Sequence, residues 1–207
     1  MKIQCVIFFL VLILSGNVLP AGNYSNDLIA VTSVNARIRL DIRYATTNNF
    51  TGRRVYPCAK AFLRKPTALK LAKAEEKLEE RNLALKVYDA YRPLSVQKIF
   101  WKIMPDERYV ADPAKGSRHN RGSAVDVTLV DLRSGRELKM PSGYDDFSMH
   151  AGYSFTNLPP EAVSNRALLR AVMSDCGFIP FETEWWHFDD SNWQSCPVLD
   201  IPFESLP

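Results

Sequence analysis

Two short segments hold the residues best suited to chemistry. The first runs Ser117-Arg118-His119-Asn120-Arg121-Gly122-Ser123-Ala124-Val125-Asp126, and the second is Glu184-Trp185-Trp186-His187. Together they offer two imidazoles and carboxylates, the ligand types of a catalytic zinc site that keeps one position open. The chain has three histidines, and two of them fall in these segments, leaving His150 outside. His119, Asp126 and His187 are therefore the expected ligands of one Zn2+ per chain. Gly122, between the first two, permits backbone angles that let both side chains converge. Alternation along 124–132 puts Asp126 on the face opposite Val125 and Val127, toward a polar site rather than the core.

Glu184 and His187 divide the remaining work. A zinc ion lowers the pKa of a coordinated water to about 7, and a neighbouring carboxylate can take its proton during attack on a carbonyl. Glu184 is the expected general base, with Glu182 its rival two residues away on the same strand face. On a regular strand residues 184 and 187 would face opposite sides. A bulge or turn through Trp185 and Trp186 is therefore expected, and the tryptophans themselves read as core.

The elements that must position these residues follow from periodicity. Residues 38–44 alternate as a half-buried strand, ahead of a polar loop over 45–54. A helix is expected over 66–85, with Leu69, Ala72, Leu78 and Leu85 as its apolar positions and Pro66 in its first turn. A strand over 85–90 leads to the tight segment Asp89-Ala90-Tyr91-Arg92-Pro93, and a helix over 95–103 has Ser95 as its candidate N-cap. Residues 105–121, rich in Pro, Gly, Asp and Asn, read as loop. The strand over 124–132 is followed by a turn at 133–136 and a short strand at 137–140. A last helix, 165–176, carries Leu168, Leu169, Val172 and Met173 and stops at Gly177, and 178–188 reads as a strand pair. The pattern is α+β, a single domain with a central antiparallel sheet flanked by helices.

The first residues stand apart from that domain. After Met1-Lys2 comes a run over 3–14 in which only Gln4 is polar, then Ser15-Gly16-Asn17. This is the pattern of a secretory signal, too short for a bilayer span. Residues 1–21 are read as that signal and 22–207 as the working domain, exported, with the periplasm as its expected compartment and no stable membrane span after cleavage. A net charge of +3 is too small to argue for nucleic acid, no basic run appears, and no nucleic-acid partner is expected. Of the cysteines outside the leader, Cys176 and Cys196 are the expected couple in an oxidising compartment, with Cys58 left over.

Beyond single residues, the chain resembles the zinc D-Ala-D-Ala dipeptidase family associated with vancomycin resistance, within the wider group of zinc D,D-peptidases. The resemblance rests on SxHxxGxAxD with ExxH near the C-terminus, on Arg43-Tyr44-Ala45-Thr46-Thr47-Asn48-Asn49-Phe50-Thr51-Gly52, and on Asp89-Ala90-Tyr91-Arg92-Pro93. It spans nearly the whole mature chain. The zinc motifs alone indicate only the wider group, whose fold is shared with hedgehog-like domains; the NFTG stretch and the short chain favour the dipeptidases. The resemblance implies a small D,D-dipeptide substrate, Arg92 as the cation facing the developing oxyanion, and Asp145 as the carboxylate receiving the substrate's free ammonium group. Asp146 is adjacent, and Ser117 is implied as a donor to the substrate carboxylate. Pro141 and Ser142 depart from the family's more usual Gly and Thr. The family's resistance enzymes act in the cytoplasm, so the leader is a second departure. The competing activities are a zinc D,D-carboxypeptidase or endopeptidase trimming peptidoglycan, which Asp145 would obstruct, and a non-catalytic zinc-binding domain, which has no use for Glu184.

Overall fold

The computed structural model describes residues 28–207. The expected leader, residues 1–21, lies outside the described residues. In chain order the elements are β1 (Leu28–Ala30), α1 (Val31–Val34), β2 (Arg39–Leu40), β3 (Phe62–Arg64), α2 (Lys65–Glu79), β4 (Leu83–Asp89), α3 (Leu94–Ile103), β5 (Ala124–Asp131), α4 (Pro160–Asp175), β6 (Phe178–Phe181) and β7 (Glu184–Asp190). Five strands form one sheet in the order β2-β4-β5-β7-β6, and β1 pairs with β3 in a separate ribbon. Every pairing is antiparallel except that of β2 with β4. The expected α+β class and central antiparallel sheet are present, with one short parallel edge. No helix among the described residues is long and apolar enough to cross a membrane.

Helices α2 and α4 pack against each other and against the sheet. The buried stripe of α2 is Ala68, Leu71, Glu75 and Leu78, while Leu69 is 52% exposed. The expected stripe was thus partly misplaced, and the helix ends at Glu79 rather than at 85. The reason is the turn that follows: Asn82 takes a left-handed φ of 58°, which asparagine tolerates better than most residues, and the chain turns there directly into β4. That strand is buried along almost its whole length.

Other boundaries moved for similar reasons. Over 38–44, Ile38, Ile42 and Tyr44 are buried as alternation requires, but only Arg39 and Leu40 find ladder partners before a 3-10 turn at Arg43–Ala45. Helix α4 begins at Pro160, five residues before the expected start, because proline fits a first turn. It stops, as expected, before Gly177 at φ 87°. Ser95 lies inside α3 instead of capping it, and its backbone N–H is satisfied by Asp200 from the C-terminal segment. The strand expected at 137–140 is reduced to one bridge, Val130 to Glu137. Along β5 both faces are buried, Val125, Val127 and Leu129 on one and Asp126 and Thr128 on the other.

Candidate active site

The ladder between β5 and β7 sets Asp126 directly opposite His187. His119 reaches them from a 3-10 turn, His119–Arg121, that ends in Gly122 at φ 64°. A Cβ on Gly122 would stand 2.5 Å from Leu28 Cδ2 and 3.3 Å from the Arg64 backbone nitrogen. Only glycine meets both the angle and the space, as its place between His119 and Asp126 suggested.

His119 Nε2 lies 3.2 Å from His187 Nδ1 and 3.4 Å from Asp126 Oδ1, and the third side of the triangle, His187 Nδ1 to Asp126 Oδ1, is 3.0 Å. Ligand atoms held ~2.0–2.1 Å from a tetrahedral ion stand about 3.3 Å apart, so the triangle has the dimensions of such a site. These three residues form a group able to hold a metal ion. Each is held from behind. His119 Nδ1 donates to the Ala90 carbonyl at 2.7 Å; the carbonyl can only accept, so Nε2 turns its lone pair to the triangle. His187 Nε2 faces Asp189 Oδ1 at 2.8 Å, and Asp126 Oδ2 accepts from the Tyr144 hydroxyl at 2.9 Å. Burial opposes the charge on Asp126, yet the His119 and His187 rings outweigh it and hold its carboxyl well below the usual range. Burial likewise opposes a charged His187, but Asp189 and Asp126 on either side of it raise its pKa. The cluster attracts positive charge.

The expected irregularity in β7 is present. Pro180 of β6 pairs with Phe188, and the next residue, Phe181, pairs with Glu184. Trp185, Trp186 and His187 therefore occupy a step that β6 covers in one residue, and Glu184 swings to the side of His187. Its Oε2 lies 3.9 Å from His187 Nδ1. Burial pushes the Glu184 carboxyl up to about 7; His187 works against the shift, and Asp126 and Asp145 add to it. Glu182 points elsewhere: it is exposed and paired with Arg170 at 2.9 Å, outside the cavity. Both tryptophans are 1% exposed, and Trp186 also forms part of the cavity wall.

The cavity is small, about 110 Å³, against roughly 300 Å³ and upward for drug-sized ligands. Arg92, Asp145 and Ser117 all line it together with the triangle and Glu184. Arg92 is buried, its Nε and Nη2 donating to Asp89 Oδ2 (3.2 and 2.6 Å) and its Nη1 to Gln97 Oε1 (2.8 Å). Asp145 adopts a left-handed φ of 60°, and its carboxylate accepts from the Tyr44 hydroxyl (3.1 Å) and the Phe50 backbone N–H (3.2 Å). Burial raises its pKa to about 7, opposed by the Phe50 N–H and reinforced by Asp126. Such a carboxylate gains from an incoming cation. Asp146 does not line the cavity; it accepts from the Ser148 backbone instead. Ser117 Oγ accepts from the His119 N–H at 3.2 Å. His150 is exposed and hydrogen-bonded to Ser148, away from the site.

Sequence reasoning missed the supporting residues. Asp189 had a signal, a second carboxylate two positions after a ligand and on the same strand face. Asp89 and Gln97, which fix Arg92, and Tyr44 and Tyr144, which hold Asp145 and Asp126, had no periodic signal. The expected Cys176–Cys196 pair is not formed; among the described residues both are free, as is Cys58. Cys176 closes α4 beside Lys73 and Lys77, whereas Cys196 follows the Trp193–Ser195 turn near Arg121.

A family profile described as D-Ala-D-Ala dipeptidase, peptidase M15, matches residues 24–202. A D-alanyl-D-alanine dipeptidase of Escherichia coli (strain K12) is 35% identical over 179 residues, 86% of this chain and 92% of the relative. One from Streptomyces coelicolor is 30% identical over 79% of this chain and 91% of its own length. One from Enterococcus faecalis is 29% identical over 73% and 85%. This chain therefore belongs to the M15 peptidase family of D-Ala-D-Ala dipeptidases.

Proposed function

We propose that this chain is a zinc-dependent hydrolase that cleaves free D-Ala-D-Ala into two D-alanines. The observation that carries the reading is the triangle of His119 Nε2, Asp126 Oδ1 and His187 Nδ1, with Glu184 beside it in a cavity walled by Asp145. His119, Asp126 and His187 would hold the ion, and two imidazoles with one carboxylate suit zinc and leave a position open. When bound, zinc supplies Lewis acidity to the peptide carbonyl and lowers the pKa of water. Glu184 takes the proton of the attacking water at its carboxylate and returns it to the leaving amine, a task matched by a pKa near 7. Arg92, clamped by Asp89 and Gln97, offers its remaining N–H groups to the carbonyl oxygen as negative charge develops. Asp145 receives the substrate ammonium, and the Ser117 hydroxyl donates to the substrate carboxylate.

Asp145 is what favours a free dipeptide over a stem peptide. A stem peptide presents an amide where the dipeptide has an ammonium group, which leaves a buried carboxylate without its cation. The names of the relatives support the same substrate. The test is release of D-alanine by zinc-loaded protein from D-Ala-D-Ala and from an acylated tripeptide ending in D-Ala-D-Ala. Cleavage confined to the free dipeptide is expected; cleavage of the blocked peptide alone would make the enzyme a wall-trimming carboxypeptidase.

The apolar run over 3–14 supports removal of residues 1–21 as an export signal and work in the periplasm. There the enzyme would hydrolyse dipeptide released outside the membrane and feed alanine uptake. Recovery of full-length enzyme in the cytosolic fraction, or unchanged growth on D-Ala-D-Ala after its deletion, would contradict this.

A further inference from the structure

We infer that Arg118 reads the substrate's C-terminal carboxylate and so makes the site selective for a free acid at that end. This rests on the dipeptidase reading above. In a dipeptide the carboxylate carbon is three bonds from the scissile carbonyl carbon, less than about 4 Å away by standard geometry. Its receptor must therefore stand beside the metal triangle. Arg118 lies between Ser117 and His119 in the chain and lines the same cavity.

Three arginines line that cavity, Arg92, Arg108 and Arg118. Arg92 is held by Asp89 and Gln97. Arg108 is exposed and closed on Asp106 by a two-pronged contact. Arg118 differs from both. Its Nε stands 3.5 Å from Asp189 Oδ2, and its terminal nitrogens make no hydrogen bond among the described residues. Two aromatic rings orient the guanidinium, with Trp193 at 4.8 Å and Phe181 at 5.6 Å from centroid to Cζ. A planar cation held over aromatic rings, with its terminal N–H groups uncommitted among the described residues, matches the two oxygens of a carboxylate. The cavity then presents a carboxylate, Asp145, for the ammonium end of the dipeptide and a guanidinium for its carboxylate end.

The experiment compares kcat/KM of the zinc-loaded enzyme for D-Ala-D-Ala and for its C-terminal amide, D-Ala-D-alaninamide. The unaltered enzyme is expected to prefer the acid. In Arg118→Ala that preference should fall by about 10–100-fold, mostly through KM, the range lost with a charge-assisted hydrogen-bond pair. Arg118→Lys, which keeps the charge without the fork, should retain part of it. Because Arg118 neighbours Asp189, zinc content is measured on each variant, and the acid-to-amide ratio is independent of how much active enzyme is present. An unaltered ratio in Arg118→Ala overturns the assignment while leaving the dipeptidase reading intact. Failure of the unaltered enzyme to cleave D-Ala-D-Ala overturns both.

Discussion

Asp189 Oδ1 lies 2.8 Å from His187 Nε2, so the imidazole that faces Asp126 on one side is gripped by a second carboxylate on the other. The two residues are two apart on β7 and share a strand face. A carboxylate in this position fixes the ring's tautomer and orientation and raises its basicity as a ligand.

Replacing Asp189 with Asn should weaken zinc affinity by about 10–100-fold, the usual cost of losing such a partner. Competition with a chelating dye measures it. His150→Ala is the control, since His150 is exposed and outside the triangle. Equal affinities in the unaltered enzyme and Asp189→Asn would remove Asp189 from the account.

Asp145→Asn should raise KM for D-Ala-D-Ala by at least about tenfold, because the ammonium group loses its ionic partner. The loss in kcat should be smaller if, as proposed, Asp145 meets the end of the substrate and not the reacting bond. Steady-state kinetics separate the two. A loss confined to kcat would show that Asp145 acts on the chemistry.

Glu75 should make the fold less stable as pH rises. It is buried in α2, its Oε2 accepts from the Leu85 N–H at 2.6 Å, and its Oε1 has no hydrogen-bond partner among the described residues. Burial raises its pKa from 4.5 to about 7. Between those values the folded chain holds a proton that the unfolded chain has released, so stability falls across that window and is flat above it. The cost at pH 8 is roughly 3 kcal/mol. Glu75→Gln should regain about 1–2 kcal/mol of it, read as a higher Tm than the parent at pH 8 with no gain at pH 4.5. A parallel pH profile in both proteins would contradict this.

Much of the site was legible because its candidate ligands sit in dense local segments. His119, Gly122 and Asp126 fall within eight residues, and the strand alternation that carries Asp126 is unambiguous. The bulge in β7 followed from a conflict, since a ligand and a base three residues apart cannot share a face of a regular strand. Arg92 was different. Read bottom-up it is a residue after a turn, and only the resemblance gave it a role; its burial depends on Asp89, Gln97 and Phe100. The contact of Tyr44 with Asp145 spans 101 residues, beyond the reach of any local pattern. The end of α2 was misjudged because helical and strand periodicity overlap near Leu83 and Leu85, and Asn82 is the one residue that marks the break.

If His119, Asp126 and His187 hold zinc while Glu184, outside that set, performs the proton transfer, losing the Glu184 carboxylate should spare the metal and stop the chemistry. Glu184→Gln, purified and assayed for both zinc and D-Ala-D-Ala hydrolysis, should retain one zinc per chain while kcat falls by at least about 10²–10⁴-fold, the usual share of a general base. Retained zinc with near-normal kcat would contradict it.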